Sequence, residues 1–421
     1  MLEGVKILSY AMPLSETNRP EAEPRELTVE KWVYGGRGLG RLGGEVVLAP
    51  FVLPGERVRV RIERRRSGLA EAAVEEVVAA SEARVEPPCP YFGRCGGCQY
   101  QHASYEAQLE YKAAILRETL QRVGKLTAPE EIRVAAAEPY GYRNRAQFHI
   151  QGGRIGYREA GSNRLCPIEQ CRICSPRINS ALGELLSMAR DPRFPGFVRT
   201  IELLTNEVGV QVNILCTERP VARRFFDWCR EKLPGADASS LEYAACGERF
   251  RVSRHSFFQV NRFLLERLVE TALEGAAGEE AWDLYAGVGL FSLPLARRFA
   301  AVTAVESGAE AAWDLEFNAQ RAGLPIRVQR AAVESFLAGC TRGPDFVLAD
   351  PPRAGLGPAV VRHLVRLRPA ALAVVSCDPA TLARDLAGLA AGGYRLESLA
   401  LVDLFPQTYH LESVARLRWA G

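Results

Sequence analysis

Asp283-Leu284-Tyr285-Ala286-Gly287-Val288-Gly289 is the stretch on which the reading of this chain turns. An apolar strand, Glu280 to Tyr285, runs into a glycine-rich turn, and a helical pattern follows from Leu290 to Arg298. The same alternation continues on both sides. Helix-like Phe263 to Leu273 precedes it. Strand Ala301 to Glu306, helix Ala309 to Ala322, strand Phe346 to Ala349, helix Pro358 to Arg366 and strand Ala371 to Ser376 follow. Alternation of this kind predicts a parallel, doubly wound α/β sheet. Two closing strand-like runs, Tyr394 to Val402 and Glu412 to Trp419, are expected to pair as a terminal hairpin.

In open α/β sheets, ligands bind at the carboxyl ends of the strands, and glycines there let the backbone approach a ligand closely. Seventeen residues after Gly289 the next strand ends in Glu306, suited to a pair of ribose hydroxyls. A nicotinamide fingerprint would carry a third glycine at position 292, where this chain has Ser292. An acidic residue opening the turn suits S-adenosylmethionine better, since that ligand has an amino acid end and no pyrophosphate. Later strand ends add Asp350-Pro351-Pro352-Arg353 and Ser376-Cys377-Asp378-Pro379. A lone cysteine after an apolar run is ordinarily a core residue. Among these neighbours Cys377 reads instead as a reactive thiol.

Working outward, residues 130–250 read as α+β, with strands at Arg145 to Gln151, Thr200 to Leu204 and Val208 to Leu215. Tyr105 to Val123 is an amphipathic helix with Leu109, Ala113, Leu116 and Leu120 on one face. Between Leu27 and Val78, short β-like runs broken by Gly35-Gly36, Gly43-Gly44 and Pro54-Gly55 suggest a small barrel. In Arg57 to Ile62 arginines alternate with apolar residues. From Lys31 to Arg66 nine basic residues stand against three acidic ones. That row, with Arg37 and Arg41, favours phosphate contact over a merely solvated face.

The 421 residues suffice for two or three domains, and 48% hydrophobic with 24% charged residues is ordinary globular composition. A net charge of +3 excludes a global polycation. No apolar stretch approaches the ~20 residues that span a bilayer. Ile7 to Met12 is short and runs into Pro13 without a small-residue cleavage site, so no signal peptide is expected. Eleven cysteines, an odd number, argue for reduced thiols, metal ligands or catalysis in the cytoplasm. Three of them form Cys89-x5-Cys95-Gly96-Gly97-Cys98, a tight glycine-rich loop whose spacing fits zinc or an iron–sulfur cluster equally. Cys216, Cys229, Cys246 and Cys340 read as core thiols.

Asp283 to Ala296, Asp350 to Arg353, Ser376 to Leu382 and Phe405 to Glu412, with Phe258-Gln259-Val260-Asn261, together resemble the RNA 5-methyluridine methyltransferase family. The resemblance runs from about residue 25 to the end, and its two C-terminal motifs are the most specific part. The barrel, with Pro54-Gly55-Glu56, is similar to the TRAM domain that many members carry to bind RNA. The resemblance implies a Rossmann-like S-adenosylmethionine-dependent methyltransferase domain, an N-terminal TRAM or OB-like β-barrel and a central α+β iron–sulfur domain. The expected division is a flexible extension 1–24, the barrel 25–84, the central domain 85–256 and the catalytic domain 257–421, with helix 105–123 packing on the last.

Carried over residue by residue, the resemblance makes Cys377 the nucleophile and Glu412 the proton-abstracting base, with His410 the competing base by its ordinary pKa. It implies that Gln259, Tyr285, Glu306 and Asp350 contact S-adenosylmethionine, and it leaves the role of Arg353 open. It decides for a [4Fe–4S] cluster on Cys89, Cys95, Cys98 and Cys166, with Cys171 and Cys174 close behind as alternatives for the fourth ligand. The expected activity is methylation of carbon 5 of a uridine, in 23S ribosomal RNA ahead of transfer RNA, by a cytoplasmic monomer without membrane contact. Two rivals remain: a non-catalytic RNA-binding assembly factor, against which Cys377 and Glu412 both stand, and a nicotinamide oxidoreductase, against which Ser292 and the basic barrel stand.

Overall fold

The structure, a computed structural model, describes residues 23–66, 68–233, 235–236 and 238–421. The expected extension 1–24 therefore lies outside the described residues except for its last two. Two compact units divide the chain, Met1–Val85 and Glu86–Gly421.

In the first unit, β1 (Arg25–Val33), β2 (Arg37–Leu42), β3 (Glu45–Pro50), β4 (Arg57–Arg66) and β5 (Leu69–Ala79) close into a barrel of order β1-β2-β3-β5-β4. Alternation decides which side chains enter it: Val58, Val60 and Ile62 are buried, while Arg57, Arg59 and Arg61 face solvent. Strand β2 was not expected, because its glycines read as breakers. A Cβ on Gly40 would lie 2.3 Å from the Thr28 carbonyl oxygen, so glycine there permits close strand approach. The guanidinium row is also less naked than its sequence suggests. Arg59 pairs with Glu76 (2.5 Å), Arg61 with Glu75 (3.3 Å), Arg65 with Glu45 (3.2 Å) and Arg37 with Glu71 (3.3 Å). Such exposed pairs are worth about 0–1 kcal/mol each and can open towards phosphates.

Glu56 is a buried clasp. Its carboxylate accepts hydrogen bonds from Leu53 N (2.8 Å), Ser81 N (3.3 Å) and the Arg84 guanidinium (2.5 and 2.7 Å). Burial opposes its charge, but Arg84 and the two backbone donors outweigh that and hold its pKa below the usual value.

The second unit begins with the cysteine loop, α1 (Tyr105–Val123) and β6 (Arg133–Ala135). A five-stranded sheet then forms from β7 (Arg145–Gln151), β8 (Arg154–Arg158), β9 (Leu165–Pro167), β10 (Val198–Thr205) and β11 (Val210–Thr217), in order β11-β10-β7-β8-β9. Helices α2 (Pro176–Ala189) and α3 (Arg223–Lys232) share a core with it. The hairpin β12 (Ser240–Ala245) and β13 (Glu248–Ser253) and helix α4 (Leu265–Ala272) lead to the α/β region.

There β14 (Glu280–Leu284), α5 (Ser292–Ala296), β15 (Ala301–Val305), α6 (Ala309–Arg321), β16 (Ile326–Gln329), α7 (Val333–Gly339), β17 (Phe346–Ala349), α8 (Gly357–Leu367), β18 (Ala371–Ser376), α9 (Pro379–Ala391), β19 (Tyr394–Val402) and β20 (Ser413–Trp419) follow in turn. The sheet order is β16-β15-β14-β17-β18-β20-β19-β6, and the first five strands are parallel. Their near-continuous apolar runs are what a sheet covered on both faces requires.

The terminal hairpin forms as expected, but β20 inserts between β18 and β19 and pairs antiparallel with both. Strand β6, from before the central sheet, adds to the far edge beside β19. Helix α1 packs against α9, on the α/β region. Sequence before and after residue 257 thus lies in one compact unit. Among the described residues no helix is long and apolar enough to cross a membrane.

Candidate active site

Strand register brings the expected nucleophile and base together. The last pair of the β18–β20 ladder is Ser376 with Ser413, and Ser413 Oγ donates to the Ser376 carbonyl at 3.1 Å. One residue beyond that pair, Cys377 and Glu412 face each other across the strand ends. Parallel pairing of Ala349 with Val374 carries Asp350 to the same edge. Gln259 Nε2 reaches over and donates to Asp350 Oδ2 at 3.3 Å. After Cys377, Asp378 caps α9 by accepting from Ala380 N (3.0 Å) and Thr381 N (2.9 Å), which makes the turn bearing the thiol rigid.

The electrostatics are those of crowded carboxylates. Burial, then the negative charge of Asp350, raises Glu412 well above the usual carboxylate range. Burial pushes Asp350 up to about 7. Burial, then Glu412, push the Cys377 thiol up to about 11 against a partial counter-effect from Arg353. Burial thus disfavours the charged form of all three groups in the free protein. His410, the rival base, goes the other way. Burial, then Arg353, lower it to about 4, leaving a neutral, weakly basic ring whose Nδ1 lies 3.4 Å from the Arg353 guanidinium.

The glycine-rich loop forms the adjacent wall. Asp283 is fully buried, accepts from Ser292 Oγ at 2.5 Å, and is raised to about 7 by burial. Ser292, the residue that breaks a nicotinamide fingerprint, thus ties the loop to its strand. Tyr285 sits at φ 63°, a left-handed conformation that costs about 1–3 kcal/mol and is found at functional sites. Gly289 has φ 96°, a left-handed conformation that favours glycine at this turn. Glu306 accepts from Gly287 N (2.9 Å) and Gly308 N (2.6 Å), and with Tyr285 it lines a 220 Å³ cavity. Glu334 and Leu356 complete its walls, and no sequence signal marked either.

A second cavity, 550 Å³, is lined by Cys89, Cys95, Cys98 and Cys171. Cys166, the expected fourth ligand, is not among its walls. It sits in the short edge strand β9, paired across from Tyr157 and buried in the core of the five-stranded sheet. Cys171 lies in the turn before α2, where a hydrogen bond from Cys174 lowers its pKa. Burial raises Cys95 to about 12 and raises Cys98 further. Among the described residues no three His, Cys, Asp or Glu side chains are gathered tightly enough to hold a single metal ion as they stand. Of the four thiols read as core residues, Cys229 is buried, Cys246 and Cys340 are half-buried, and Cys216 is exposed at the end of β11, against expectation.

A family model described as tRNA (Uracil-5-)-methyltransferase matches residues 238–418, and a TRAM domain model matches residues 22–74. The 23S rRNA (uracil(1939)-C(5))-methyltransferase RlmD of Chromohalobacter salexigens is 38% identical, over 96% of this chain and 91% of that protein. The chain belongs to the RNA uracil-5-methyltransferases. An uncharacterized RNA methyltransferase of Aquifex aeolicus is 33% identical over 94% of this chain and 98% of its own length. Among solved structures, the Pyrococcus abyssi tRNA (uracil-54, C5)-methyltransferase in complex with S-adenosyl-L-homocysteine aligns with a TM-score of 0.71 and 26% identity. It covers 93% of this chain and 100% of that one.

In this RNA uracil-5-methyltransferase, the loop that leads to Glu412 is moored from far away in sequence. Lys112 of α1, itself fully buried, donates to Asp403 Oδ1 (2.6 Å) and the Phe405 carbonyl (2.9 Å). Gln108 Nε2 donates to Gln407 Oε1 at 3.1 Å, and Gln108 Oε1 accepts from the backbone N–H of Gln407 at 3.0 Å. Tyr142 Oη donates to the Pro406 carbonyl at 3.1 Å, and Asn261 Nδ2 donates to the Leu404 carbonyl at 3.1 Å. The segment just after the cysteine loop joins in, with Gln99 N and Tyr100 N both donating to the Gln407 carbonyl at 3.0 Å. None of these moorings was legible as a motif. The exposed ring of Phe257, beside buried Phe258 and Gln259, is a further feature that sequence reading passed over.

Proposed function

We propose that this protein transfers the methyl group of S-adenosylmethionine to carbon 5 of a uridine in 23S ribosomal RNA. The single observation that carries the reading is the register placing Cys377 opposite Glu412, one residue beyond the Ser376–Ser413 pair, with Asp350 on the same edge. The greater identity to a 23S enzyme than to the transfer RNA enzyme favours ribosomal RNA as substrate.

Carbon 5 of uracil is a poor nucleophile, and covalent catalysis divides the difficult step. The Cys377 thiolate adds to carbon 6, moving electron density to carbon 5. Carbon 5 then takes the methyl group, and the donor leaves as its neutral thioether. The Glu412 carboxylate removes the carbon 5 proton, the 5,6 double bond re-forms, and the thiolate is expelled. A carboxylate with a raised pKa suits that proton abstraction better than an ordinary one. Gln259, Tyr285, Glu306 and Asp350 hold the donor in this reading, whose sulfonium cation suits an edge crowded with carboxylates. The exposed Phe257 ring is placed to stack on an unpaired base.

The four thiols of the 550 Å³ cavity hold the [4Fe–4S] cluster in this reading, with Cys171 in place of Cys166. A four-thiol donor set around a space wider than one ion needs fits such a cluster. Arg143, Arg145 and Arg172 on the same walls would offset its negative charge. Its part is structural, since the segment that follows it also holds the Glu412 loop.

The test is methyl transfer from labelled S-adenosylmethionine to unmodified 23S RNA, beside adduct formation with 5-fluorouridine RNA. Wild type should transfer the label and form an adduct through Cys377. Cys377→Ala should bind RNA and donor yet do neither. A wild-type protein that transfers nothing and forms no adduct overturns the reading.

A further inference from the structure

A 490 Å³ cavity in the second unit shares no lining residue with either cavity described above. It lies between the turn ahead of β10 and the N-terminus of α3. Its walls include Phe194, Phe197, Phe225 and Trp228, with Arg193, Arg219 and Arg224. The guanidinium carbon of Arg219 stands 4.2 Å from the centroid of the Phe197 ring, and that of Arg193 stands 4.7 Å from Trp228. Phe194 and Phe225 pack edge-to-face at 5.6 Å behind them.

The charges here are arranged for a ligand and against the helix. Arg223 and Arg224 open α3 where its dipole disfavours cations, no acidic residue lies in the first turn, and no side chain caps the Ala222 end. Arg193 is neutralised by Asp191 at 2.7 Å. Among the described residues no carboxylate pairs with Arg219, Arg223 or Arg224. The cavity therefore joins flat aromatic and guanidinium faces, which stack on nucleobases, to uncompensated cations beside free backbone N–H groups, which bind phosphate.

We propose that this cavity binds an unpaired nucleotide of the RNA substrate, distinct from the uridine methylated at Cys377, with its base against Phe197 and Trp228 and its phosphate towards Arg219 and Arg224. The inference rests on the reading of the protein as an enzyme acting on RNA.

Two full-length variants test it, Phe197→Leu/Arg219→Gln and Arg224→Glu, each checked by circular dichroism for native folding. Arg224→Glu is the sharper variant. An acid in the first turn suits the helix dipole, so weaker RNA binding by a protein at least as stable cannot come from unfolding. The Kd of fluorescein-labelled decauridylate, read by anisotropy, should rise about tenfold in each variant, as expected for losing one stacked base or one phosphate contact. The KM for 23S RNA in methyl transfer should rise similarly at unchanged kcat. Native-folded variants that bind decauridylate as tightly as wild type overturn the proposal. If wild type transfers no methyl group, the functional reading fails on its own, and the decauridylate Kd still decides the cavity.

Discussion

Two sets of thiols in one compact unit sit among different charged neighbours. Cys377 faces carboxylates, namely Glu412, Asp350 and Asp378, with Arg353 the counterweight. The four-thiol cavity has Arg143, Arg145 and Arg172 on its walls, with Glu202 there paired to Arg145. Burial disfavours the thiolate in both places, pushing Cys377 up to about 11 and Cys95 up to about 12, and in the cavity only Cys171 is lowered, by a hydrogen bond from Cys174. The carboxylate edge suits a cationic donor that arrives and leaves. The guanidinium-lined cavity suits a permanently anionic group. The two are also joined mechanically, because Gln99 and Tyr100, just after Cys98, hold the Gln407 carbonyl of the loop that delivers Glu412.

The largest break in that comparison should come from the carboxylate side. Glu412→Gln should cut turnover by about 10²–10⁴-fold while still allowing thiol addition, so RNA-linked protein should accumulate on denaturing gels. Loss of turnover without that adduct would move Glu412 out of the proton-removal step.

The next effect is of pH. The reactive species is the thiolate, and burial with Glu412 holds Cys377 up to about 11, so protonation silences the enzyme as pH falls. Below that value the thiolate fraction grows roughly tenfold per pH unit, and kcat/KM for RNA should climb by about 100-fold from pH 7 to 9. A flat profile would mean that bound RNA, and not bulk pH, sets the ionisation.

Lys112→Met probes the mooring. Removing one partner of a fully buried pair strands Asp403 and should cost about 3–5 kcal/mol, read in chemical denaturation. An unchanged midpoint would show that Gln108 and Tyr142 suffice to hold the loop.

The smallest expected effect separates the neighbouring cysteines. Cys171→Ala should lower the iron content and visible absorbance of anaerobically purified protein. Cys166→Ala should leave both near wild type and cost only core packing. Equal losses would return Cys166 to the ligand set.

Much of this could be read from local pattern. The α1 span, strands β7, β17, β18 and β19, and the barrel's alternating β4 all announce themselves through period and breakers. Strand β2 did not, since Gly38 and Gly40 look like turn residues until a neighbouring strand presses on them. Nor did β6, three residues long and held by pairing with β19 and by the Arg133–Glu274 ion pair, both distant in sequence. Gln259, Tyr285, Glu306, Asp350, Cys377 and Glu412 stood out as candidates because each lies at a strand or loop end. The fourth thiol stayed open, because Cys166 and Cys171 lie only five positions apart. They differ only in that one faces the core of a sheet and the other faces a cavity.

By itself the sequence determined the α/β class, the glycine-rich loop after β14 and the barrel, and it marked the candidate reactive residues, all of which rest on patterns within a few residues. Only the tertiary structure decided who meets whom. Inserting β20 between β18 and β19 is a long-range choice of register, and that register turns Cys377 and Glu412, 35 positions apart, into neighbours. Burial at the shared edge, a property of the packed sheet and of no local segment, then sets the protonation of both.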